Sequence, residues 1–332
     1  MTWLYFFTYT ATLVFVGLCI ARFIKIATSP IHFRWELYPV PHESREKSAY
    51  GGSRLEEMDW WKKPQKKSFF RELRYMLSEI FFLKSVWENN RGLWIGSFPF
   101  HFGLYLLIAN VGLLLFSALL VLMGVKIMMR EMDFVFYFWK VIYWLLQTTF
   151  WVGTIIGLLG SIRLLISRII DPNLKKYSTA SHYFNIILIG VIFFTGFLWI
   201  MNDRQMFMSL LMYYYGLITF QPGLVKQYFA VTESGFPVAG YVHIYATLFF
   251  MMYLPFTHMT HFFMKYFTYH KVRWEDEPNL PNSKIEGKIS KLLNQPVSWP
   301  APHIGADGRK TWIEIAAANP WEKKNEEQLN PD

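Results

Sequence analysis

Five long apolar stretches are the feature that most limits what this 332-residue chain can fold into. Each is about long enough to cross roughly 30 Å of hydrocarbon as a helix. Only 17% of the residues are charged and 53% are hydrophobic, which argues against a soluble domain. The sequence therefore predicts an all-α membrane protein with a bundle of five transmembrane helices, at approximately 3–21, 94–122, 134–162, 183–201 and 239–264.

The basic residues predict the orientation of this bundle. The loops 22–93 and 163–182 and the tail from 265 hold 28 of the 33 Lys and Arg residues, and the other side holds 5. By the positive-inside rule the N-terminus is outside and the C-terminus is cytoplasmic, in the inner membrane. A sixth span at 205–220 would break this parity, so that short apolar segment is expected to lie at the outer interface.

Four regions follow from these spans. Residues 1–26 form the first transmembrane helix, and 27–93 form a cytoplasmic loop with an interfacial helix at 69–83. Residues 94–269 form the four-helix transmembrane region that would hold cofactors, and 270–332 form a cytoplasmic tail. The loop and the tail are either solvated linkers or docking surfaces for a soluble partner. Because the segment from 265 onward has as many acidic as basic residues, it is no basic arm for nucleic acid.

The single cysteine, Cys19, restricts the metal chemistry. It excludes a disulfide framework, a cysteine-ligated zinc site and an iron–sulfur cluster with several thiolate ligands. Metal binding therefore depends on histidine. An ionisable side chain within a span is costly, which makes a function for it the default hypothesis. Four of the nine histidines lie within or at the ends of predicted spans: His101, His243, His258 and His261. For each of them, a buried neutral ring bonded to a carbonyl is the alternative.

The spacing of these histidines suggests a haem. His243 and His261 are 18 residues apart, which puts them on one face of a continuous helix and about 27 Å apart. His101 lies about seven residues into the second span from its cytoplasmic end, so it is expected at the depth of His261. Two imidazoles at one depth can clamp a flat macrocycle, giving a closed six-coordinate iron suited to electron transfer.

Zinc or copper is the competing metal, with His258 as a third ligand. Small residues near the histidines favour a porphyrin because they leave room for it, although membrane helices also use glycine to pack closely. These are Gly96, Gly103 and Gly240.

Two motifs carry a resemblance to a known family. FPFHFG at the start of the second span and HIYATLFFMMYLPFTHMTH in the fifth resemble the cytochrome b membrane subunit of respiratory nitrate reductase, the NarI-like family. The resemblance implies five helices, an outer N-terminus and two haems b between the second and fifth spans. RWELYPVPHE and YGGS in the long loop resemble the branch found in heterodisulfide-reductase-like complexes of sulfate-reducing organisms.

Carried over to this sequence, the resemblance makes His101 and His261 the axial ligands of the cytoplasmic-side haem b. It makes His243 one ligand of the outer haem b. The family places the other outer ligand ten residues after the first histidine, and here that residue is Val111, which cannot bind iron. Three alternatives stay open: the outer haem is absent, His243 pairs with an unrecognised ligand, or His182 pairs with His258 in a second cytoplasmic-side site.

The function that the resemblance implies is electron transfer within a respiratory complex. The chain would pass electrons between a quinone, by resemblance menaquinone, and a cytoplasmic iron–sulfur subunit of heterodisulfide-reductase-like type. Further membrane or periplasmic cytochrome subunits are additional candidate partners. Quinone-site candidates on the outer side are His243, Asn110, Lys126 and Arg130. The other hypothesis is a non-redox anchor or transporter-like scaffold with structural histidines. The spans hold no Asp or Glu away from their ends, which counts against proton relay. The four polar-segment histidines are expected at the surface: His32, His42, His270 and His303.

Overall fold

Five apolar helices dominate the fold, as the sequence predicts. The computed structural model describes residues 2–28, 46, 56–59, 62–63, 69–125, 134–203, 205–224, 237–268 and 281–318. All five helices are long and apolar enough to cross a membrane, so the chain is a multi-pass membrane protein. From the first span to the fifth, they are Thr2–Ala27, Arg91–Leu122, Tyr137–Ile170, Ala180–Asn202 and Val238–Phe256.

Large apolar side chains cover the outer surfaces of these helices. Leu13, Ile108, Leu159 and Val242, for example, are all exposed. In water such a surface would be a liability, whereas in a bilayer it meets the lipid tails and leaves every backbone group bonded within its own helix. This surface follows from the near-continuous apolar sequence of each span.

The chain divides into two compact units, and the first holds most of the bundle. It comprises Met1–Cys19 and Arg74–His258. Within it the second span packs against the third and against the short helix Met206–Ile218, the third packs against the fourth, and the fourth against the fifth. The described parts of the second and fifth spans are not closely packed against each other.

Glycines on the second span serve its contact with the third span. A Cβ built on Gly103 would lie 2.6 Å from Cα of Gly157 and 2.7 Å from the carbonyl oxygen of Gly153, so only glycine permits this approach. A Cβ on Gly96 would lie 3.2 Å from the Leu164 side chain. The expectation that Gly96 and Gly103 leave room for a porphyrin is therefore wrong, because both face the third span.

The short helix Met206–Ile218 packs against the bundle, and its position at the outer membrane interface stays a prediction. Buried residues occur all along it, among them Met206, Leu210 and Tyr213. The first span contacts it through the Tyr9 hydroxyl, which donates to the Leu217 carbonyl at 2.8 Å. At 13 residues it is too short to cross a bilayer, and a helix of that length in an apolar sequence more often packs into a core.

The fifth span is broken near its end, which corrects the spacing argument for its histidines. The α-helix ends at Tyr253, and two 3₁₀ turns follow at Leu254–Phe256 and His258–Thr260. Pro255 lacks an N–H and its ring clashes with the preceding turn, and Thr257 adopts an extended conformation with ψ 171°. His243 and His261 consequently do not lie on one continuous helix, and the five-turn count does not apply.

The second unit comprises Ile20–Leu73 and Met259–Asp332, and its best-described part is the tail. Here a helix at Lys284–Leu293 precedes two short antiparallel strands, Pro300–Ala301 and Ala306–Asp307, and a helix at Trp312–Ala317. Val297, Ala301 and Ala306 form a small core. The described tail is therefore folded. The other α-helices that the structure describes are Phe69–Phe82, Lys84–Asn89, Pro172–Lys176 and His261–Thr268.

Candidate functional site

His101 is held in one tautomer by its own helix. Its Nδ1 lies 2.7 Å from the carbonyl oxygen of Ser97, one turn earlier in the second span. A carbonyl only accepts hydrogen bonds, so Nδ1 carries the proton and Nε2 presents a lone pair. His101 is two residues before Gly103 and so about 160° away from it around the helix, which points the imidazole away from the third span.

His243 has the same hydrogen-bond pattern, but its partner is on another helix. Its Nδ1 donates to the Ile192 carbonyl of the fourth span at 3.0 Å, and the Thr195 hydroxyl lies 3.3 Å from the same nitrogen. Nε2 therefore again presents the lone pair. A histidine that binds metal almost always donates its other ring N–H in this way, which fixes the ring and raises the basicity of the ligand.

Close packing fixes the position of the His243 ring. Gly196 of the fourth span faces it, and a Cβ built there would lie 3.0 Å from Cε1 and 3.2 Å from Nδ1 of His243. The rings of Phe150 and Trp199 lie 6.0 Å and 5.9 Å from the imidazole, measured between centroids. The imidazole is thus oriented by contacts with the third and fourth spans.

At His182, Nδ1 accepts a hydrogen bond, whereas Nδ1 of His101 and of His243 donates one. His182 occupies the third position of the fourth span, where its Nδ1 accepts from the backbone N–H of Thr179 at 3.0 Å in a capping box. In the neutral ring the proton is then on Nε2. The His258 ring lies 4.9 Å away between centroids, so the structure brings together the two histidines that one alternative paired. That separation leaves no room for a flat macrocycle with iron between the rings, because an imidazole nitrogen lies about 2 Å from its metal.

The other predicted ligands are placed as follows. His261 is exposed and begins the helix His261–Thr268 in the second unit, so its pairing with His101 of the first unit stays a prediction. Val111 is 40% exposed. Among the residues that the structure describes, no three His, Cys, Asp or Glu side chains are gathered in a way that could hold a metal ion.

Of the predicted quinone residues, only Asn110 and His243 are described, and Lys126 and Arg130 lie outside the described residues. Asn110 is 2% exposed, and its amide nitrogen donates to the Leu146 carbonyl at 2.7 Å and to the Thr149 hydroxyl at 2.9 Å. Both partners are on the third span. In this structure the Asn110 amide joins two helices, and its two N–H groups are both used.

A comparison with protein families identifies the region that holds these residues. A family model described as nitrate reductase gamma subunit matches residues 84–275, which is more than half of the chain. The chain belongs to the nitrate reductase gamma subunit family. Gamma subunits of this family are membrane cytochromes b of respiratory oxidoreductases and work within multi-subunit complexes. No curated protein and no solved structure matches the chain.

The gamma-subunit match covers the last four spans and leaves out the first span and most of the tail. Every histidine predicted as a ligand lies inside it. The resemblance seen in the sequence is therefore confirmed at the level of the family. The heterodisulfide-reductase-like branch stays a prediction, and its motifs at 34–43 and 50–53 lie outside the described residues.

Several residues at the site were missed by the sequence reasoning. Gly196 and the Ile192 carbonyl orient His243, and Asn185 is buried beside Tyr253. The sequence did indicate Asn185 as a candidate, because it is an amide among apolar residues within the fourth span. The backbone carbonyl had none, since a carbonyl is present at every residue.

Proposed function

We propose that this chain is a haem b subunit that passes electrons between a quinone, such as menaquinone, and a cytoplasmic iron–sulfur partner. The observation that carries the proposal is the hydrogen bonding of His101 and His243. In both, Nδ1–H donates to a backbone carbonyl and Nε2 presents the lone pair that iron binds. The family generally binds haem b and interacts with quinone. The residues of this chain fit that group.

In the proposal His101 and His261 are the axial ligands of one haem b, and His243 is a ligand of a second. A bis-imidazole haem supplies one-electron transfer and leaves no coordination position for a substrate. The chain's contribution is to fix the rings: Ser97 holds His101, and Ile192 with Gly196 holds His243.

A partner subunit is required by the composition. With one cysteine the chain cannot hold an iron–sulfur relay, so electrons must continue through another protein, which we propose to be of heterodisulfide-reductase-like type. The folded tail offers a surface for it, since Trp299, Ile304 and Ile313 are exposed. Exposed aromatic and aliphatic side chains of this kind are common at protein interfaces.

Haem content per chain, with the reduced absorption spectrum, tests the proposal. We expect His101→Ala and His261→Ala each to remove the same haem, and His243→Ala to remove a different one. His303→Ala is the matched control, because His303 is exposed in the tail and should leave the content unchanged. Purified protein without any haem b would overturn the proposal, and full haem content in all three variants would overturn the ligand assignment.

A further inference from the structure

Two buried hydrogen-bond donors lack a partner, and both lie near the connection between the third and fourth spans. They are Nδ2 of Asn185 and Nε of Arg168, and no other described side chain has such an atom. Nearly all buried polar groups in proteins are hydrogen-bonded, so each exception needs an explanation. Arg168 is three residues before the start of this connection at Asp171, and Asn185 is five residues into the fourth span.

The geometry of Asn185 points its amide nitrogen away from the protein's own acceptors. Asn185 is 4% exposed, and its Oδ1 accepts a hydrogen bond from the Tyr253 hydroxyl at 2.9 Å. The oxygen is thus fixed by the fifth span while the N–H₂ group has nothing to donate to. A ligand oxygen would supply the missing acceptor.

The Arg168 backbone and the His182 ring lie within about one helical turn of Asn185 along the fourth span. Tyr183, two residues before Asn185, donates to the Arg168 carbonyl at 2.8 Å, and Nη1 of Arg168 donates to the Ser178 hydroxyl at 2.9 Å. His182 lies one turn before Asn185, and since its Nδ1 accepts from Thr179, its Nε2 carries the proton in the neutral ring. The fourth and fifth spans contain no Asp or Glu. Nε of Arg168 and Nδ2 of Asn185 are left without an acceptor among the described residues, which favours a ligand that presents oxygen.

The surroundings of Asn185 are aromatic and reach the lipid-facing surface. The Tyr253 ring packs edge-on against Phe184 at 5.3 Å and stacks with Phe249 at 6.1 Å. Phe184 and Phe249 are both exposed on the outside of the bundle. A flat ring that arrives from the bilayer would meet aromatic side chains first and then the buried amide, which is the usual make-up of a ligand site.

We propose that Asn185, held by Tyr253 and flanked by Arg168 and His182, binds a carbonyl oxygen of a bilayer quinone head group. The inference rests on the proposed function and assigns a binding site to the quinone of that function. Asn185 lies about 16 Å along the fourth span from Gly196, which packs against His243. The site therefore lies toward the N-terminal end of that helix, away from His243, which is one of the quinone residues suggested by the sequence.

A binding titration tests the site. The full-length protein in phosphatidylcholine nanodiscs is titrated with menaquinone-1, followed by quenching of tryptophan fluorescence. Asn185→Leu is expected to raise the Kd at least about tenfold, the loss of roughly one strong hydrogen bond. Asn202→Leu is the matched control, since it removes an exposed amide from the end of the same helix, and it should leave Kd within about twofold. The same Kd for wild type and Asn185→Leu, no binding to wild type, or a loss confined to Asn202→Leu would each overturn the site.

Two conservative variants guard against misfolding of Asn185→Leu. Tyr253→Phe keeps the ring packing and removes the hydroxyl that orients the amide, and Arg168→Gln removes the charge. Both should weaken menaquinone-1 binding, and unchanged affinity in both would overturn the site. Haem content is measured on the same samples. Wild type without haem would overturn the proposed function while the quinone titration is still readable, and normal haem with unaltered quinone affinity in Asn185→Leu would overturn the site alone.

Discussion

Two histidines, one in the fourth span and one packed against it, differ in which ring nitrogen carries the proton. His243 donates from Nδ1 to the Ile192 carbonyl, whereas Nδ1 of His182 accepts from the Thr179 N–H. The first arrangement presents Nε2 as a metal ligand, and the second uses the ring to cap a helix. The difference teaches that a histidine in a membrane span is not a ligand by its position alone, because its hydrogen-bond partner decides which nitrogen is available.

Two buried asparagines differ in a parallel way. Asn110 uses both amide N–H groups to join the second span to the third, while the amide nitrogen of Asn185 has no partner. Both are almost fully buried. Burial alone therefore does not distinguish a structural amide from one that is available to a ligand. The two are distinguished by how many of the amide N–H groups have a hydrogen-bond partner.

The largest effect is expected from Gly196→Leu, which would displace the His243 ring from its position against the fourth span. The new side chain would occupy the space of the imidazole and of Phe150, whose Cζ would lie 3.2 Å from the Cβ alone. We expect loss of the haem bound by His243 and a destabilisation of about 1–3 kcal/mol, measured by haem content and thermal unfolding. Gly190→Ala is the control, because its Cβ would lie 3.4 Å from Ser161, an ordinary contact. Equal haem content in both variants would show that His243 binds none.

The second-largest effect is expected from His182→Ala, which tests whether His182 is a haem ligand. His182→Ala removes the capping box of the fourth span and should cost about 1 kcal/mol, as the loss of a helix cap does. Haem content and the reduced spectrum should not change. Thr179→Ala disrupts the same box and should have a similar cost. If His182→Ala lowered the haem content and Thr179→Ala did not, His182 would be a ligand after all.

The two asparagines should respond differently when they are replaced. Asn110→Leu removes hydrogen bonds between helices, worth about 0.6 to 1.7 kcal/mol in a membrane protein. The double variant Asn185→Leu with Tyr253→Phe removes an unsatisfied donor and its neighbour together, which is about neutral or stabilising. Unfolding of the quinone-free protein in mixed detergent micelles measures both. A larger loss for the double variant than for Asn110→Leu would contradict the comparison.

The smallest effect is expected in the tail, where the stability depends on two hydrogen-bonded carboxylates and not on histidines. Backbone N–H groups of Lys310 and Arg309 lower the pKa of Asp307, and those of Thr311 lower the pKa of Glu314. Lowered pKa values stabilise the fold above the ordinary carboxyl pKa, and this contribution is lost as pH falls through the lowered values. Hydrogen exchange of residues 281–318, corrected for intrinsic rates, should therefore show less protection at acidic pH. Asp307→Asn should flatten this dependence, and an unchanged pH profile would exclude Asp307 as its source.

Much of the architecture could be predicted because it depends on local composition. Five apolar stretches give five helices, and their bounds agree to within a few residues at most ends. The packing of the helix at 206–218 against the bundle was not predicted, because its apolar sequence fits an interface as well as a core. The break after Tyr253 was missed although Pro255 marks it, since a proline in a span can also be accommodated in a kinked but continuous helix.

The sequence alone determined the membrane class, the family and the exclusion of a metal site with several cysteine ligands, because apolar length, the motifs around His101 and His243, and the single Cys19 can be read without a fold. Only the tertiary structure decided which histidines present Nε2 and which buried amide lacks a partner. Those properties depend on backbone carbonyls and on side chains of other helices. The Ile192 carbonyl is 51 residues from His243 along the chain, and only packing of the fourth span against the fifth brings them together.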